Sequence, residues 1–203
     1  MNKKFYIYLF RHGRTFDNIQ SVFSGWRDSK LTNSGVDDAR IVGIRLKDKK
    51  INVAFHTSLT RSKHTMREAI RGHKECRKII EDDRMIERSY GNLAGKSHLF
   101  IVKKYGPEQY DEWHRGFNER LPKGESFADV EKRVKAFINS LGAYIQKNEV
   151  NVAISAHGNS IRLFRKIVEK HTEKEAVSWE IPYDKVFIYR VECQGKKISI
   201  KRV

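Results

Sequence analysis

Residues 5–15 read FYIYLFRHGRT, a β-rich run that ends in a histidine placed between a cation and a glycine. Alternating apolar and aromatic residues of this kind are typical of a strand in a half-buried or buried sheet, so Phe5 to Phe10 is predicted to form the first strand. Similar short runs recur along the chain at Val53 to Phe55, Val152 to Ser155, Val186 to Val191 and Lys197 to Lys201.

Helical patterns lie between these strands. The clearest begins at Ser126, where apolar residues recur at helical spacing as far as Ile145, and Asp129 completes a capping box. Two further helices are predicted to follow Thr32 and Gly158. Strands that alternate with helices predict an α/β layered fold, in which ligands collect at the carboxyl ends of the strands.

The composition favours an ordinary globular enzyme. A chain of 203 residues with 39% hydrophobic content fits one domain, residues 1–203, and no apolar run approaches the ~20 residues that a membrane-spanning helix needs. Cys76 and Cys193 lie far apart, without the spacing of a metal site or a disulfide framework. These features predict a soluble, cytoplasmic protein without a membrane partner.

The formal net charge of +16 predicts attraction to anions. Both nucleic acid and small phosphorylated metabolites are anionic, so the charge by itself does not choose between them. Because lysines and arginines are spread along the chain and not gathered in one tail, a solvated basic surface is favoured over a nucleic-acid footprint. The oligomeric state is left open.

His12 follows the first predicted strand and is a candidate nucleophile. A neutral imidazole is nucleophilic near pH 7, Arg11 offers a guanidinium for phosphoryl oxygens, and Gly13 permits close backbone approach. Taken alone, the tripeptide equally describes a surface histidine in a basic turn.

A second histidine follows the strand that ends near Ala156. His157 and Gly158 begin a predicted helix, whose backbone N–H groups and dipole favour an anion. For this pair considered alone, a helix-capping turn is the alternative explanation. The chain has two strand-ending His-Gly pairs, however, and their independent origin is a less economical explanation than a shared role.

Two further residues complete the candidate chemistry. Arg61 is predicted to lie one turn into a helix after the Val53 to Phe55 strand, where it offers another phosphate ligand. Glu87 is a candidate general acid or base. Considered alone, a glutamate such as Glu87 is usually just an ordinary solvated side chain.

Together these motifs resemble the histidine phosphatase superfamily and, within it, the cofactor-dependent phosphoglycerate mutases. The resemblance runs through almost the whole chain. The matching stretches are Arg11 to Gly13, Asn18, Phe23 to Asp28, Leu31 to Thr32, Gly35, Thr57 to Arg61, Thr65, Glu87 to Leu93, Tyr105 to Gln109, Trp113 to Phe117, Pro122, Gly124 to Ser126 and Ala156 to Arg162. It implies a three-layer α/β/α sandwich with a mostly parallel central sheet.

The resemblance also implies a role for each matching residue. His12 becomes phosphorylated, Arg11, Arg61 and His157 form the phosphate pocket, and Glu87 donates and accepts the proton. The residues implied to bind the substrate are Thr15, Asn18, Ser24, Gly25, Tyr90, His114, Arg115, Gly158 and Asn159. The implied reaction is the glycolytic and gluconeogenic interconversion of 3-phosphoglycerate and 2-phosphoglycerate, primed by 2,3-bisphosphoglycerate and needing no metal.

The chain departs from the mutase pattern at several positions. Where the mutases supply two adjacent arginines, this chain has His114 and Arg115, and His98 stands where they have a lysine, with Lys96 as an open substitute. Two residues usual in the first motif are also replaced, by Arg14 and Phe16.

These departures keep two alternatives open. One is a phosphomonoesterase that acts on a small phosphorylated metabolite or a phosphoprotein through the same phosphohistidine. The other is a basic binding module without turnover, which is disfavoured because a pure binder needs neither a nucleophile such as His12 nor a proton donor such as Glu87.

Overall fold

The computed structural model describes residues 3–195 and 197–203, which contain one six-stranded sheet. The strands are β1 Lys3–Arg11, β2 Val53–His56, β3 Lys78–Glu81, β4 Val152–Ala156, β5 Val186–Gln194 and β6 Lys197–Arg202, in the order β3-β2-β4-β1-β5-β6. The β3, β2, β4 and β1 strands are parallel, and β5 pairs antiparallel with both of its neighbours. The predicted, mostly parallel sheet is confirmed.

Eight α-helices accompany the sheet in the described ranges. They are α1 Phe16–Ile19, α2 Asn33–Leu46, α3 Thr60–Ala69, α4 His98–Tyr105, α5 Pro107–Arg115, α6 Phe127–Asn148, α7 Gly158–Glu169 and α8 Glu173–Ser178. The capping box that Ser126 and Asp129 predict is present at the start of α6, and the Thr32 hydroxyl caps α2 by accepting from the Gly35 N–H.

The first strand shows why helices cover both faces of the sheet. Its side chains alternate, so that Ile7 and Leu9 pack in one core with the apolar faces of α6 and α7, whereas Tyr8 and Phe10 pack in another with those of α2 and α3. Fully burying each such side chain contributes roughly 1.5–3 kcal/mol. The three-layer α/β/α arrangement is therefore confirmed.

A third apolar cluster holds together the segments above the carboxyl edge of the sheet. Phe23, Leu93, Ile101 and Leu121 are buried there. The backbone pairs across this region, with Val22 bridged to Ser97. This group of segments, which includes α4 and α5, was not predicted from the sequence, and it forms one wall of the candidate site.

Among the described residues, no helix combines the length and the apolar character required to cross a membrane. The assignment of residues 1–203 to one domain stays a prediction.

Candidate active site

His12 and His157 lie side by side because of the sheet register. Strands β1 and β4 are parallel neighbours with Arg11 opposite Ala156, so the residue after each strand arrives at the same point. The two imidazole centroids are 5.0 Å apart, and the side chains are 2% and 0% exposed. Two residues 145 positions apart in the chain are thus brought into contact.

The backbone fixes the tautomer of His12. Its Nδ1 lies 2.8 Å from the carbonyl oxygen of Gly13, and a carbonyl only accepts hydrogen bonds, so Nδ1 carries the proton. In the neutral ring this leaves Nε2 with its lone pair. Burial, reinforced by the positive charges of Arg61 and Arg11, lowers the pKa of His12 well below its ordinary value. The site therefore keeps His12 neutral and nucleophilic.

His157 is neutral for the same reasons. Burial is the main cause that lowers its pKa, and Arg61 and His12 add to the effect. Its Nε2 lies 2.8 Å from the Thr57 hydroxyl oxygen. Its Nδ1 is buried without a hydrogen-bond partner among the described residues. Such an unpaired polar atom is costly, and it is expected to find a partner when a ligand binds.

Arg61 is the second residue of α3, not one turn into the helix as predicted, because α3 begins at Thr60. The side chain is only 1% exposed. Its two terminal nitrogens donate to the carbonyl oxygens of Gly25 at 2.7 Å and Arg27 at 2.8 Å, while Nε is buried without a partner among the described residues. Burial lowers the pKa of Arg61, which remains a cation at neutral pH.

One carboxylate oxygen of Glu87 is available to the site, and the other is occupied by hydrogen bonds from backbone N–H groups. Oε1 accepts hydrogen bonds from the N–H groups of Arg88 at 2.8 Å and Asn159 at 3.1 Å. Oε2 lies near Gly158, only 3.6 Å from where a Cβ atom of that residue would stand. The sequence predicted that an anion binds at the start of α7. At the Asn159 N–H, that anion is the carboxylate of Glu87.

These groups surround a cavity of about 170 Å³, named here the catalytic cavity. Pockets for drug-sized ligands measure ~300–1,000 Å³, so this one suits a small molecule. Its lining comprises Arg11, His12, Asn18, Val22, Phe23, Ser24, Gly25, Arg61, Glu87, Tyr90, His98, His114, Gly158, Asn159, Arg162 and Ile181.

Most of the predicted site residues line this cavity, but three do not. Thr15 is fully buried and caps α1, where its hydroxyl accepts from the Asn18 N–H. Arg115 lies outside and donates to the carbonyl oxygen of Val177. His157 lies beside His12 and is absent from the lining. The functional roles of all the site residues stay predictions.

Several polar groups on the wall remain available to a ligand. The Asn18 carboxamide oxygen accepts from Thr15, which leaves its Nδ2 amine free of protein partners in the described ranges. The Ser24 hydroxyl is buried and unpaired among these residues. Tyr90 accepts from the Asn159 side chain at 3.0 Å, and burial raises the pKa of its hydroxyl.

The wall formed by α4 and α5 carries neutral histidines. His98 stacks on Phe23 with centroids 4.0 Å apart, its Nδ1 lies 2.7 Å from the Tyr110 hydroxyl, and its centroid is 5.4 Å from that of His114. Burial, helped by nearby Arg115, lowers the pKa of His98 and lowers that of His114 to about 3. Neither histidine supplies the positive charge that lysine and arginine supply in the mutase pattern.

Arg162 is the site residue that the sequence analysis did not single out. It lies on the first turns of α7, where Nη1 donates to the Asn159 side-chain oxygen at 2.6 Å and Nε donates to the Trp179 carbonyl at 2.8 Å. Burial lowers its pKa to about 10, so it stays charged. Its position three residues after Asn159, on the same helical face, was the available signal.

The fold and site define a member of a known enzyme class. Residues 7–203 match the family model of the histidine phosphatase superfamily (branch 1), and the chain belongs to that superfamily. Among curated relatives, it is 33% identical to the 2,3-bisphosphoglycerate-dependent phosphoglycerate mutase of Chlamydia felis, over 91% of this chain and 92% of the relative.

Solved structures agree on the fold. The chain superimposes on Bacillus stearothermophilus YhfR with a TM-score of 0.82 and 26% identity, covering 96% of this chain and 94% of that one. It superimposes on a mycobacterial glucosyl-3-phosphoglycerate phosphatase with a TM-score of 0.78 and 18% identity, covering 100% and 97%. This curated relative is thus named a mutase, whereas proteins named phosphatases occur among the structures that share the fold.

Proposed function

We propose that the protein interconverts 3-phosphoglycerate and 2-phosphoglycerate through a phosphohistidine on His12, primed by 2,3-bisphosphoglycerate. The observation that carries this proposal is the fixed tautomer of His12, which leaves Nε2 unprotonated on a residue that lines one cavity together with Arg11 and Arg61. The identity to bisphosphoglycerate-dependent mutases supports the choice of substrate and primer.

Each half-reaction is an in-line transfer with a proton exchange. A hydroxyl of phosphoglycerate attacks the phosphorus of phosphohistidine, the P–O bond forms as the P–N bond breaks, and the hydroxyl proton passes to Oε2 of Glu87. The bisphosphoglycerate so formed reorients. His12 then attacks its other phosphorus, the P–O bond breaks, and Glu87 returns the proton to the leaving oxygen.

The charge on the phosphoryl oxygens requires compensation during transfer. Arg11 and Arg61 donate to backbone carbonyls and have no carboxylate partner within 4.0 Å among the described residues, so their positive charge is available to the ligand. Fixed guanidinium groups in a buried site stabilise the transferring phosphoryl group electrostatically, and the proposed mechanism involves no metal.

A mutase must also hold the carboxylate of phosphoglycerate. Arg162 lines the catalytic cavity and is likewise free of a carboxylate partner in the described residues. We infer that it contributes the positive charge that His98 and His114 do not supply.

A phosphomonoesterase is the second candidate. The neutral pair His98 and His114 lies where the mutase pattern has cations, which weakens the site for a second anion and favours this alternative. The phosphatase among the structural neighbours has the same fold. Water would then replace phosphoglycerate as the acceptor from phosphohistidine.

A coupled assay distinguishes the two candidates. The protein is incubated with 3-phosphoglycerate and enolase, with and without 2,3-bisphosphoglycerate, and phosphoenolpyruvate and inorganic phosphate are both measured. The mutase proposal predicts primer-dependent phosphoenolpyruvate. Release of inorganic phosphate without mutase turnover would favour the phosphatase.

A further inference from the structure

The tautomer of His12 depends on one peptide group, which joins Gly13 to Arg14. The carbonyl oxygen of this group lies 2.8 Å from Nδ1 of His12. Its N–H, the backbone N–H of Arg14, donates to the carboxylate oxygen Oδ2 of Asp38 at 3.1 Å. The N–H and C=O of a planar trans peptide point in opposite directions, so Asp38 and His12 hold the two sides of the same group.

Glycine at position 13 makes this an orientation that the protein has to hold. Because a residue without a Cβ atom rotates its backbone at little steric cost, the peptide could turn over and present the Arg14 N–H to His12 in place of the carbonyl. Nδ1 would then accept a hydrogen bond, and the proton would move to Nε2, which could no longer act as the nucleophile. An acceptor on the far side of the peptide opposes this reversal.

Asp38 has the properties of such an acceptor. It lies on α2, one turn after Gly35, and it is only 4% exposed. An ionised carboxylate accepts hydrogen bonds and cannot donate them, so it binds the Arg14 N–H and would not bind the Gly13 carbonyl. Hydrogen bonds to an ionised acceptor are also stronger than those to a neutral one.

The backbone of α2 packs directly against this peptide. A Cβ atom on Gly13 would lie 2.0 Å from the carbonyl oxygen of Gly35, and a Cβ atom on Gly35 would lie 2.0 Å from the carbonyl oxygen of Arg14. The preceding N–H, that of Gly13, donates to the Thr65 hydroxyl of α3 at 2.9 Å. Two helices therefore hold the backbone of the turn that follows the candidate nucleophile.

The carboxylate also places negative charge on the far side of the peptide from the imidazole. A chain of hydrogen bonds runs from Asp38 through the Gly13–Arg14 peptide to His12, and the bonds in such a chain polarise one another. A ring that carries a phosphoryl group on Nε2 and a proton on Nδ1 is positively charged, and this charge is stabilised by the carboxylate. The Arg14 side chain pairs with the same carboxylate at 3.4 Å, but it is 48% exposed, so it offsets that charge only weakly.

We propose that Asp38 is a positioning residue for the nucleophile, which keeps the proton of His12 on Nδ1 by fixing the Gly13–Arg14 peptide. Asp38 is not one of the residues to which the family resemblance gives a role. The consequence for catalysis rests on the proposed phosphoryl transfer at His12, whereas the consequence for the tautomer does not depend on any substrate.

The tautomer is measured by NMR of the ¹⁵N-labelled protein at neutral pH without substrate. The chemical shifts of the two ring nitrogens distinguish a protonated from an unprotonated nitrogen, and the His12 signals are those missing from His12→Ala. The parent protein is expected to show a protonated Nδ1 and an unprotonated Nε2. In Asp38→Ala the two shifts are expected to move toward each other, because the form protonated on Nε2 becomes populated.

The rate at which 2,3-bisphosphoglycerate phosphorylates His12 is the second measurement. Asp38→Ala is expected to slow this step about 10-fold, the order of effect of one hydrogen bond to a charged group, and to change the half-saturating concentration by less than about twofold. The affinity is preserved because Asp38 does not line the catalytic cavity. Asp38→Asn keeps an oxygen that accepts from the Arg14 N–H, so it is expected to recover most of the parent tautomer and rate.

Two control variants separate this contact from other effects of charge. Asp37 lies beside Asp38 on α2 but is 65% exposed, so Asp37→Asn removes the same charge and is expected to match the parent. Arg14→Gln removes the ion pair with Asp38 and keeps the backbone N–H, so the parent tautomer is expected. If Asp38→Ala does not fold, Asp38→Leu takes its place, because it keeps the approximate shape of the side chain without an acceptor.

The two measurements distinguish failure of this inference from failure of the proposed function. A His12 tautomer that is unchanged in Asp38→Ala, or that changes equally in Arg14→Gln, would overturn the role of Asp38 whatever the activity. A shifted tautomer in Asp38→Ala, with no labelling of the parent protein by 2,3-bisphosphoglycerate, would reject the proposed function alone. A shifted tautomer together with slower phosphorylation supports both.

Discussion

At the scale of single residues, the site depends on which nitrogen of His12 carries a proton. The Gly13 carbonyl holds that proton on Nδ1, and burial beside Arg61 and Arg11 disfavours a second one. An attacking nitrogen is thus prepared by the backbone and by charge before any substrate arrives. In the proposed transfer the same cations stabilise the phosphoryl group, so one arrangement would serve both nucleophile and ligand.

Replacing the nucleophile is the most direct residue-scale prediction. His12→Ala is expected to abolish phosphoryl transfer, because no other described nitrogen has the same position on the cavity wall. The measurement is initial rate in the coupled assay and in aryl phosphate hydrolysis. A mild loss would show that His12 has been assigned the wrong role.

Glu87→Gln tests the proton-transfer group. The amide preserves the shape of the side chain but cannot accept or donate the proton, so the rate is expected to fall by about 10²- to 10⁴-fold. Substrate affinity, measured by calorimetry on the same variant, is expected to change little. A rate within tenfold of the parent would remove Glu87 from the mechanism.

The pH dependence follows from the lowered pKa of His12. In the free enzyme, Nε2 of His12 stays unprotonated at pH values well below 6.5. The value of kcat/KM is therefore expected to stay constant as the pH falls through 6.5, and to decline only at a pH well below it. The measurement is phosphorylation of the enzyme across pH 4–8, corrected for ionisation of the donor. An acid limb with an apparent pKa of 6.5 or higher would contradict the proposed environment.

The motif residues could be predicted from the sequence, whereas the residues of the cavity wall were harder to predict. The proximity of His12 and His157 was predictable because each residue follows a strand, and the carboxyl ends of parallel strands lie at the same edge of the sheet. Arg162 was missed because it follows the motif by a helical turn. Arg115 was expected at the substrate, but its guanidinium is directed to the Val177 carbonyl by a contact that no local pattern reveals.

At the scale of elements, the segment that carries Glu87 is held by one ion pair. Arg133, on α6, donates to the carbonyl oxygens of Arg84, Ile86 and Glu87, and it also binds both carboxylate oxygens of Glu125. Oε2 of Glu125 in turn accepts from the Ser89 N–H at 2.8 Å. The Arg133–Glu125 pair therefore fixes the irregular backbone on both sides of Glu87.

Arg133→Gln is expected to release this segment. Breaking one side of a largely buried ion pair costs about 3 kcal/mol of unfolding free energy, and the displaced Glu87 should lower kcat more than it raises KM. Arg133→Lys should recover stability better than kcat, because it cannot form the bidentate pair. Urea denaturation and steady-state kinetics provide the two measurements.

Arg120→Gln is the matched control for that experiment. Arg120 precedes α6 and pairs with Asp129 of that helix, but its side chain is 68% exposed, and surface pairs are worth little. It is expected to leave kcat unchanged. If Arg133→Gln behaved like Arg120→Gln, the Arg133–Glu125 pair would have no part in positioning Glu87.

The elements that escaped sequence prediction share a physical cause. β3 is a four-residue edge strand with Ile79 half-exposed, so it lacks an alternating pattern long enough to recognise. In α4, Leu99 and Phe100 face solvent while Ile101 is buried, which obscures the helical period. The long helix α6, with eight buried residues on one face, was predicted correctly because burial there matches the period.

At the scale of the whole molecule, four buried or partly buried histidines link stability to pH. Burial lowers the pKa values of His12, His98, His114 and His157 below the ordinary value near 6.5 that they regain in the unfolded chain. Below pH 6.5 the unfolded chain binds more protons than the folded one, so folding stability decreases as pH falls. Each such histidine contributes a slope of up to ~1.4 kcal/mol per pH unit.

The unfolding free energy is therefore expected to drop by at least about 2 kcal/mol between pH 7 and pH 5. This window lies above the range in which carboxylates with lowered pKa values, such as Glu169 at about 2, take up protons. Urea denaturation at both pH values measures the effect, and His114→Gln is expected to reduce it. A stability independent of pH over this range would contradict the buried, neutral histidines.

The fold class was predictable at this scale because regular alternation of strands and helices leaves few layered arrangements. Choosing between mutase and phosphatase depends on a few side chains in the wall of one cavity, at His98, His114 and Arg162, and the common fold accommodates both reactions. The net charge of +16 favours the binding of an anion, but it does not identify which anion binds.

Phosphoryl transfer through His12 requires that its Nε2 carries the phosphoryl group between the two half-reactions. This intermediate can be trapped by mixing the protein with 2,3-bisphosphoglycerate, quenching in alkali, and locating the label by ³¹P NMR and by mass spectrometry of the peptide that contains His12. One Nε2-phosphohistidine is expected at His12, and none in His12→Ala. Turnover without this label, or a label on another residue, would rule out His12 as the nucleophile.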